Sequence, residues 1–151
     1  MKALIMTFFV AMLPVLELRG AIPIGTAAGL DPRLVFSVAI IGNLVPVPFI
    51  ILFIRRIFAW MRRRSDFFNR IVTKMEEKAA KNAEKVYRFE NIGLFLLVAV
   101  PLPGTGAWTG SLVAAFLDMR LKRCLGPIIL GVFAAGIIVY IITYGVASVI
   151  V

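Results

Sequence analysis

Histidine is absent from this chain of 151 residues, and cysteine occurs once, at Cys124. No intrachain disulfide can form, no Cys/His metal site can be assembled, and no His-based catalytic triad is available. Carboxylates are scarce as well. Only eight exist, Glu17, Asp31, Asp66, Glu76, Glu77, Glu84, Glu90 and Asp118, so any proton-handling chemistry falls to them. The four serines, at positions 37, 65, 111 and 148, have no histidine to activate them. An enzyme is not expected, nor is a metal or other cofactor.

What the chain has in excess is apolar surface. The residues AVILMFWYC make up 61% of it, against roughly 45–50% in a soluble domain even with glycine counted as apolar. A chain this short cannot hide that much in one core. Three runs carry no charge at all: 21 residues from Leu34 to Ile54, 27 from Asn91 to Leu117, and 28 from Cys124 to Val151. A spanning helix needs only about 20, so an integral membrane protein is expected. Lys2 precedes an apolar run, but Glu17 and Arg19 interrupt it before any small-residue cleavage site, which argues against a removable signal peptide.

The net charge of +9 is unevenly placed. Eleven of the 17 basic residues lie between Arg55 and Arg88, directly after an apolar span. That is the footprint of a cytoplasmic segment beside anionic phospholipid rather than of a nucleic-acid site. Within residues 61–90, Phe67, Phe68, Ile71, Val72, Met75, Ala79, Ala83 and Val86 recur at spacings of three and four. This predicts an amphipathic helix with Asp66 near its N-cap, lying in the membrane interface.

The apolar stretches are broken in a repeated way. Met1 to Leu13 would make a helix of about 20 Å, short of the ~30 Å hydrocarbon core. Pro14, Gly20 and Pro23 then favour non-helical backbone. Ala21 to Leu30 is again about half a membrane, and Asp31–Pro32 signals a turn. The sequence thus predicts a re-entrant hairpin. Asn91 to Val100, a break at Pro101–Gly106 that includes Pro103, and Ala107 to Leu117 repeat the pattern, with Asp118 in the place of Asp31. Leu-Asp-x-Arg-Leu occurs in both halves, at residues 30–34 and 117–121. The expected fold is an all-α integral membrane domain with an inverted-topology repeat. Residues 1–60 form the first repeat, 61–90 the basic cytoplasmic amphipathic linker, and 91–151 the second repeat. Each repeat is a re-entrant hairpin plus one transmembrane helix. Counting crossings puts 14 of the 17 basic residues on one face, which should be cytoplasmic.

Chemistry is expected at the hairpin tips. Glu17 and Arg19 are the only charges near mid-depth, where an ionisable group costs about 2.5–3.5 kcal/mol on insertion scales. Two readings stand open: an ion pair that only closes the loop, and a working pair facing a cavity. In the second, Glu17 takes up and releases a proton, while Arg19 holds a phosphate or other anion. Opposite them, Gly104, Thr105, Gly106 and Thr109 offer donors at the start of a half-helix. Asn43 with the Pro46/Pro48 kink is a candidate polar wall, and Trp108 a candidate lining residue. Gly131, Ala135 and Gly136 form a small-residue face on the last helix that permits close contact, within the chain or in a homodimer.

The segments Glu17–Pro23 (ELRGAIP) and Pro101–Gly110 (PLPGTGAWTG), in that order, resemble the small multidrug export protein family, with the likeness extending over nearly the whole chain. That family looks like a compact relative of the DedA (VTT, or SNARE-associated) membrane proteins, which are similar in having two opposed re-entrant hairpins. DedA proteins are associated with proton-dependent movement of lipids, including undecaprenyl phosphate. The resemblance implies a role for Glu17 and Arg19 in a lipid flippase. One departure is plain: DedA proteins carry arginines around the second break, and residues 101–110 have none. The leading expectation is a secondary transporter in a prokaryotic cytoplasmic membrane, coupling protons to an anionic lipid phosphate. Export of small organic cations, and a non-transporting membrane-organising role, are the alternatives.

Overall fold

A proline at a helix start costs nothing, because the N–H it lacks would be unpaired there. Three prolines sit at or beside such positions. Asp31 accepts hydrogen bonds from the Arg33 and Leu34 N–H groups at 2.9 and 3.2 Å, with Pro32 at the first helical position. Pro46 and Pro48 open a second helix one residue after the first ends. In the computed structural model, which describes the backbone of residues 1–150 and their side chains except those of 84, 85, 87–90 and 147–150, the described chain is all helix and loop. The elements are α1 (Lys2–Met12), α2 (Glu17–Ala27), α3 (Pro32–Leu44), α4 (Pro46–Arg64), α5 (Asp66–Ala99), α6 (Ala107–Phe116) and α7 (Leu121–Ile150).

Two helical stretches are long and apolar enough to cross a membrane: the 33 residues Pro32–Arg64, which are α3 and α4 together, and the 26 residues Leu121–Val146. On α7 one face is buried (Ile128, Val132, Ala135, Val139), while Leu130, Phe133, Ile137 and Ile141 on the other are exposed. A helix apolar all round fits lipid on its outer side. The short apolar helices α1 and α6, of 11 and 10 residues, reach about 15–17 Å.

Each short helix folds back on a neighbour. Gly25 of α2 lies against Thr7 of α1 and Val35 of α3, and Gly110 of α6 against Val98 and Leu94 of α5. The small residues of α7 are consumed inside the chain. A side chain at Gly131 would run into Val98 and the Phe95 carbonyl, and one at Gly136 into Ile40 and Phe36. Of the two readings of that face, contact within the chain is the one seen, with Gly131 on α5 and Gly136 on α3 of the other half.

Three sequence expectations change. Gly20 and Pro23 do not break the chain; both lie inside α2, and only Pro14 falls in the Leu13–Leu16 turn. One proline costs a helix one hydrogen bond, which packing inside a helical protein tolerates. The amphipathic face of residues 61–90 packs largely on protein rather than being left for lipid: Val72, Ala79, Ala83 and Val86 are buried, Phe68, Ile71 and Met75 are half-buried, and Phe67 alone of that face is exposed. Finally, the two Leu-Asp-x-Arg-Leu segments are not equivalent in place. Asp31 caps the start of α3, whereas Asp118 (φ +57°) ends α6 and pairs with Arg55 at 3.2 Å. The turn that Asp118 makes after α6, with the Met119 N–H bonded to the Ala114 carbonyl at 2.9 Å, is made after α2 by Gly29 (φ +71°), with Leu30 bonded to Gly25 at 3.3 Å. Both are ends that need a left-handed residue.

Helix α5 runs as one element from Asp66 to Ala99, but its course bends. Lys78 reaches Gly104, and the Gly106 N–H bonds the Leu97 carbonyl at 3.2 Å. A straight helix would hold residues 78 and 97 about 28 Å apart. The chain from 97 through 106 and 104 to 78 spans at most ~22 Å at ordinary bond and side-chain reach.

Candidate functional site at the helix breaks

A broken helix exposes unpaired N–H groups at one end and unpaired carbonyls at the other. In a low-dielectric interior each such group is costly unless a partner reaches it. Three of these ends meet at the two breaks, and each is capped from the opposite half of the chain. Glu17, only 3% exposed, takes the N-terminus of α6: its Oε1 accepts from the Trp108 N–H at 3.0 Å. Arg19 takes the end of α5, donating to the carbonyls of Val100 (3.3 Å) and Leu102 and to Thr105 Oγ1 (2.9 Å). Trp108 returns the favour to α1, its indole Nε1 donating to the Met12 carbonyl at 2.9 Å. Both charges suit the dipoles they face, an anion at a helix start and a cation at a helix end.

The local backbone is built for this closeness. Glu17 has φ +50°, a conformation rare outside glycine, so the first break is strained at the very residue that crosses it. On the other side Gly104 and Gly106 have φ of +87° and +122°, and a Cβ at Gly106 would collide with the Glu17 carboxylate. Thr105 and Thr109 hold the second loop's shape. Thr105 Oγ1 donates to the Val100 carbonyl at 2.7 Å, and Thr109 Oγ1 to the Gly104 carbonyl at 3.0 Å.

Of the sequence candidates, Glu17, Arg19, Gly104, Thr105, Gly106, Trp108 and Thr109 come together, with Pro14, Pro101 and Pro103 in the two breaks. Direct hydrogen bonds, accepted by Glu17 from the start of α6 and donated by Arg19 to the second loop, stand where a chamber between the tips was expected. Glu17 and Arg19 do not pair with each other; among the described residues the ion pairs are Arg55–Asp118 and Arg62–Glu76. Asn43 lies on α3 next to Gly42, which packs on the Phe8 carbonyl and Ala11 near the end of α1. It is 1% exposed, and among the described residues its Oδ1 has no partner. The buried Nε of Arg19 likewise has no partner among the described residues.

One residue of the site was not foreseen. Lys78, from the basic face of α5, brings its Cε to 3.2 Å and its Nζ to 3.6 Å of where a Gly104 side chain would begin. A second cation thus stands at the rim of the junction. Nothing one-dimensional marks it among eleven basic residues in that stretch. Among the described residues, no group of three Asp, Glu or Cys could hold a metal ion.

The profile of one protein family, described as small multi-drug export proteins, matches residues 17–138. The chain belongs to that family. The match begins at Glu17, the residue that crosses the junction, just after the first break, and runs through the second break into α7. Membership and the apolar helices together make this a membrane protein of a transport family. No curated protein and no solved structure matches it.

Proposed function

We propose that the chain is a proton-coupled secondary transporter of a prokaryotic cytoplasmic membrane, built as an inverted repeat. Each half would hold a re-entrant hairpin, α1–α2 in the first and the end of α5 with α6 in the second. A spanning stretch follows each, α3–α4 and α7. The order of helix end, break, short helix and long stretch, with the end of α5 standing in the second half where α1 stands in the first, supports this reading, and the Leu-Asp-x-Arg-Leu match does not enter it.

The observation that carries the proposal is that Glu17, the one buried carboxylate among the described residues, is itself the cap that holds the two breaks together. A proton on Glu17 removes the negative charge that the start of α6 favours, which loosens the junction. Loss of the proton closes it again. Arg19 stays charged throughout and keeps the loops in register. For the substrate, the Nε of Arg19, without a partner among the described residues, and the nearby Lys78 favour an anionic lipid phosphate, undecaprenyl phosphate being one of that class. The family's description favours the second reading, export of small organic cations with Glu17 shared between cation and proton.

Flux in proteoliposomes tests this, using a fluorescent lipid phosphate and a fluorescent organic cation, each with and without a pH gradient. Glu17→Gln should lower gradient-driven flux at least tenfold while the protein remains inserted. Arg19→Ala should abolish lipid movement yet leave cation efflux measurable if the second reading holds. Wild-type flux of both probes that ignores the pH gradient, or a Glu17→Gln variant as active as wild type, would refute proton coupling through Glu17.

A further inference from the structure

A cavity of about 380 Å³ lies away from the helix breaks, where the middle of α5 meets the turn between α6 and α7. Its polar lining comes from Arg120, Arg123 and Asn91, and its apolar lining from Val86, Leu117 and Met119. Asp118 also lines it, but that carboxylate is held by Arg55 at 3.2 Å, and Arg55 donates to the Phe116 carbonyl as well. Neither Arg120 nor Arg123 has a carboxylate partner among the described ion pairs. Two guanidinium groups thus share one concave site whose one described acid, Asp118, is paired with Arg55 instead.

Like charges crowd together at a cost unless something of opposite sign joins them. Guanidinium forks suit phosphate oxygens, two at a time. The volume leaves room for more than a bare ion. A water molecule's share of liquid is about 30 Å³, so the cavity has room for a phosphate and the polar group attached to it. The apolar side chains on one wall suit the part of an amphiphile nearest its headgroup.

We infer that this cavity binds a phosphate-bearing headgroup, with Arg120 and Arg123 on the phosphate oxygens and Asn91 on the neighbouring polar group. The inference does not rest on transport at Glu17, since the two sites share no residue. The phosphate could arrive on a membrane lipid or on a soluble ester, and the experiment separates the two sources.

Native mass spectrometry of the purified full-length chain, released from detergent with phosphatidylglycerol or with phosphatidylcholine, gives the readout. Wild type should retain phosphatidylglycerol. Arg120→Gln/Arg123→Gln should lower that retention at least tenfold. Lys74→Gln/Lys122→Gln removes the same charge without touching the cavity and should change it less than twofold. Arg120→Lys/Arg123→Lys keeps the charge but loses the forks, and should fall between them, which guards against a glutamine variant that fails to fold. Added glycerol 3-phosphate that displaces the lipid at equal concentration identifies a soluble ester as ligand; failure to displace it identifies the lipid. Equal loss in the Lys and Arg double variants, or full retention in Arg120→Gln/Arg123→Gln, overturns the site.

Discussion

Gly106 and Glu17 have to be read together, because the missing side chain of one makes room for the carboxylate of the other. Gly106→Ala would impose an unfavourable φ and a collision at once, and should destabilise the protein by about 2–5 kcal/mol. Gly126→Ala meets nothing beyond its chain neighbours inside α7, but Pro127 beside it restricts a residue that carries a Cβ, so its effect should stay within about 1 kcal/mol of zero. Thermal unfolding midpoints in one detergent compare the two, and equal midpoints would contradict the close approach at Gly106. At this scale the sequence was most informative where a charge stood out against lipid. Glu17 and Arg19 were legible for that reason alone. Lys78 was not, because a lysine in a basic face looks like every other lysine there until the helix carrying it bends. Nor could spacing reveal that Glu17 and Arg19 would each bind the opposite loop rather than one another; that depends on where α5 ends and α6 begins in space.

Among the elements, α5 departs furthest from its reading in one dimension. Composition changes sharply at Glu90–Asn91, from basic and mixed to uncharged, yet the helix runs through that boundary. The change of direction was legible and the continuity was not, since hydropathy records what surrounds a helix and not whether it stops. Spin labels at Lys78→Cys and Leu97→Cys in a Cys124→Ala background test the bend. A distance distribution centred near 28 Å, the straight-helix value, would rule it out; the expected centre is below about 22 Å, before allowance for label length. Gly20 and Pro23 misled in the opposite sense. Both are helix-disfavouring residues, but α2 is held on two sides, by Thr7 of α1 and Val35 of α3 at Gly25, and packing outweighs a single lost hydrogen bond.

For the molecule as a whole, the two long apolar stretches, Pro32–Arg64 and Leu121–Val146, were the most readable feature, and the proposed inverted repeat implies a topology that can be checked. In that proposal one spanning stretch separates Lys2 from the basic helix, so Lys2 and Asn69 should lie on opposite sides of the bilayer. Single cysteines at Lys2 and Asn69, again without Cys124, should be labelled by a membrane-impermeant maleimide from opposite sides in sealed, oriented vesicles. Labelling of both from one side would remove the single crossing, and with it the inverted repeat. The five-residue echo at residues 30–34 and 117–121 added nothing to this, because its two copies sit at different points of their turns.

The reciprocal capping has a consequence for how the chain is made. Met12 waits for an indole that lies 96 residues downstream, and the ends of α5 and α6 wait for side chains made long before. As it leaves the ribosome, the amino-terminal half would hold a helix end with no partner in the bilayer until the carboxy-terminal half arrives. Biogenesis should therefore be all-or-nothing: a truncated first half is a substrate for quality-control proteolysis, while two fragments divided in the 61–90 segment and made together can rescue each other.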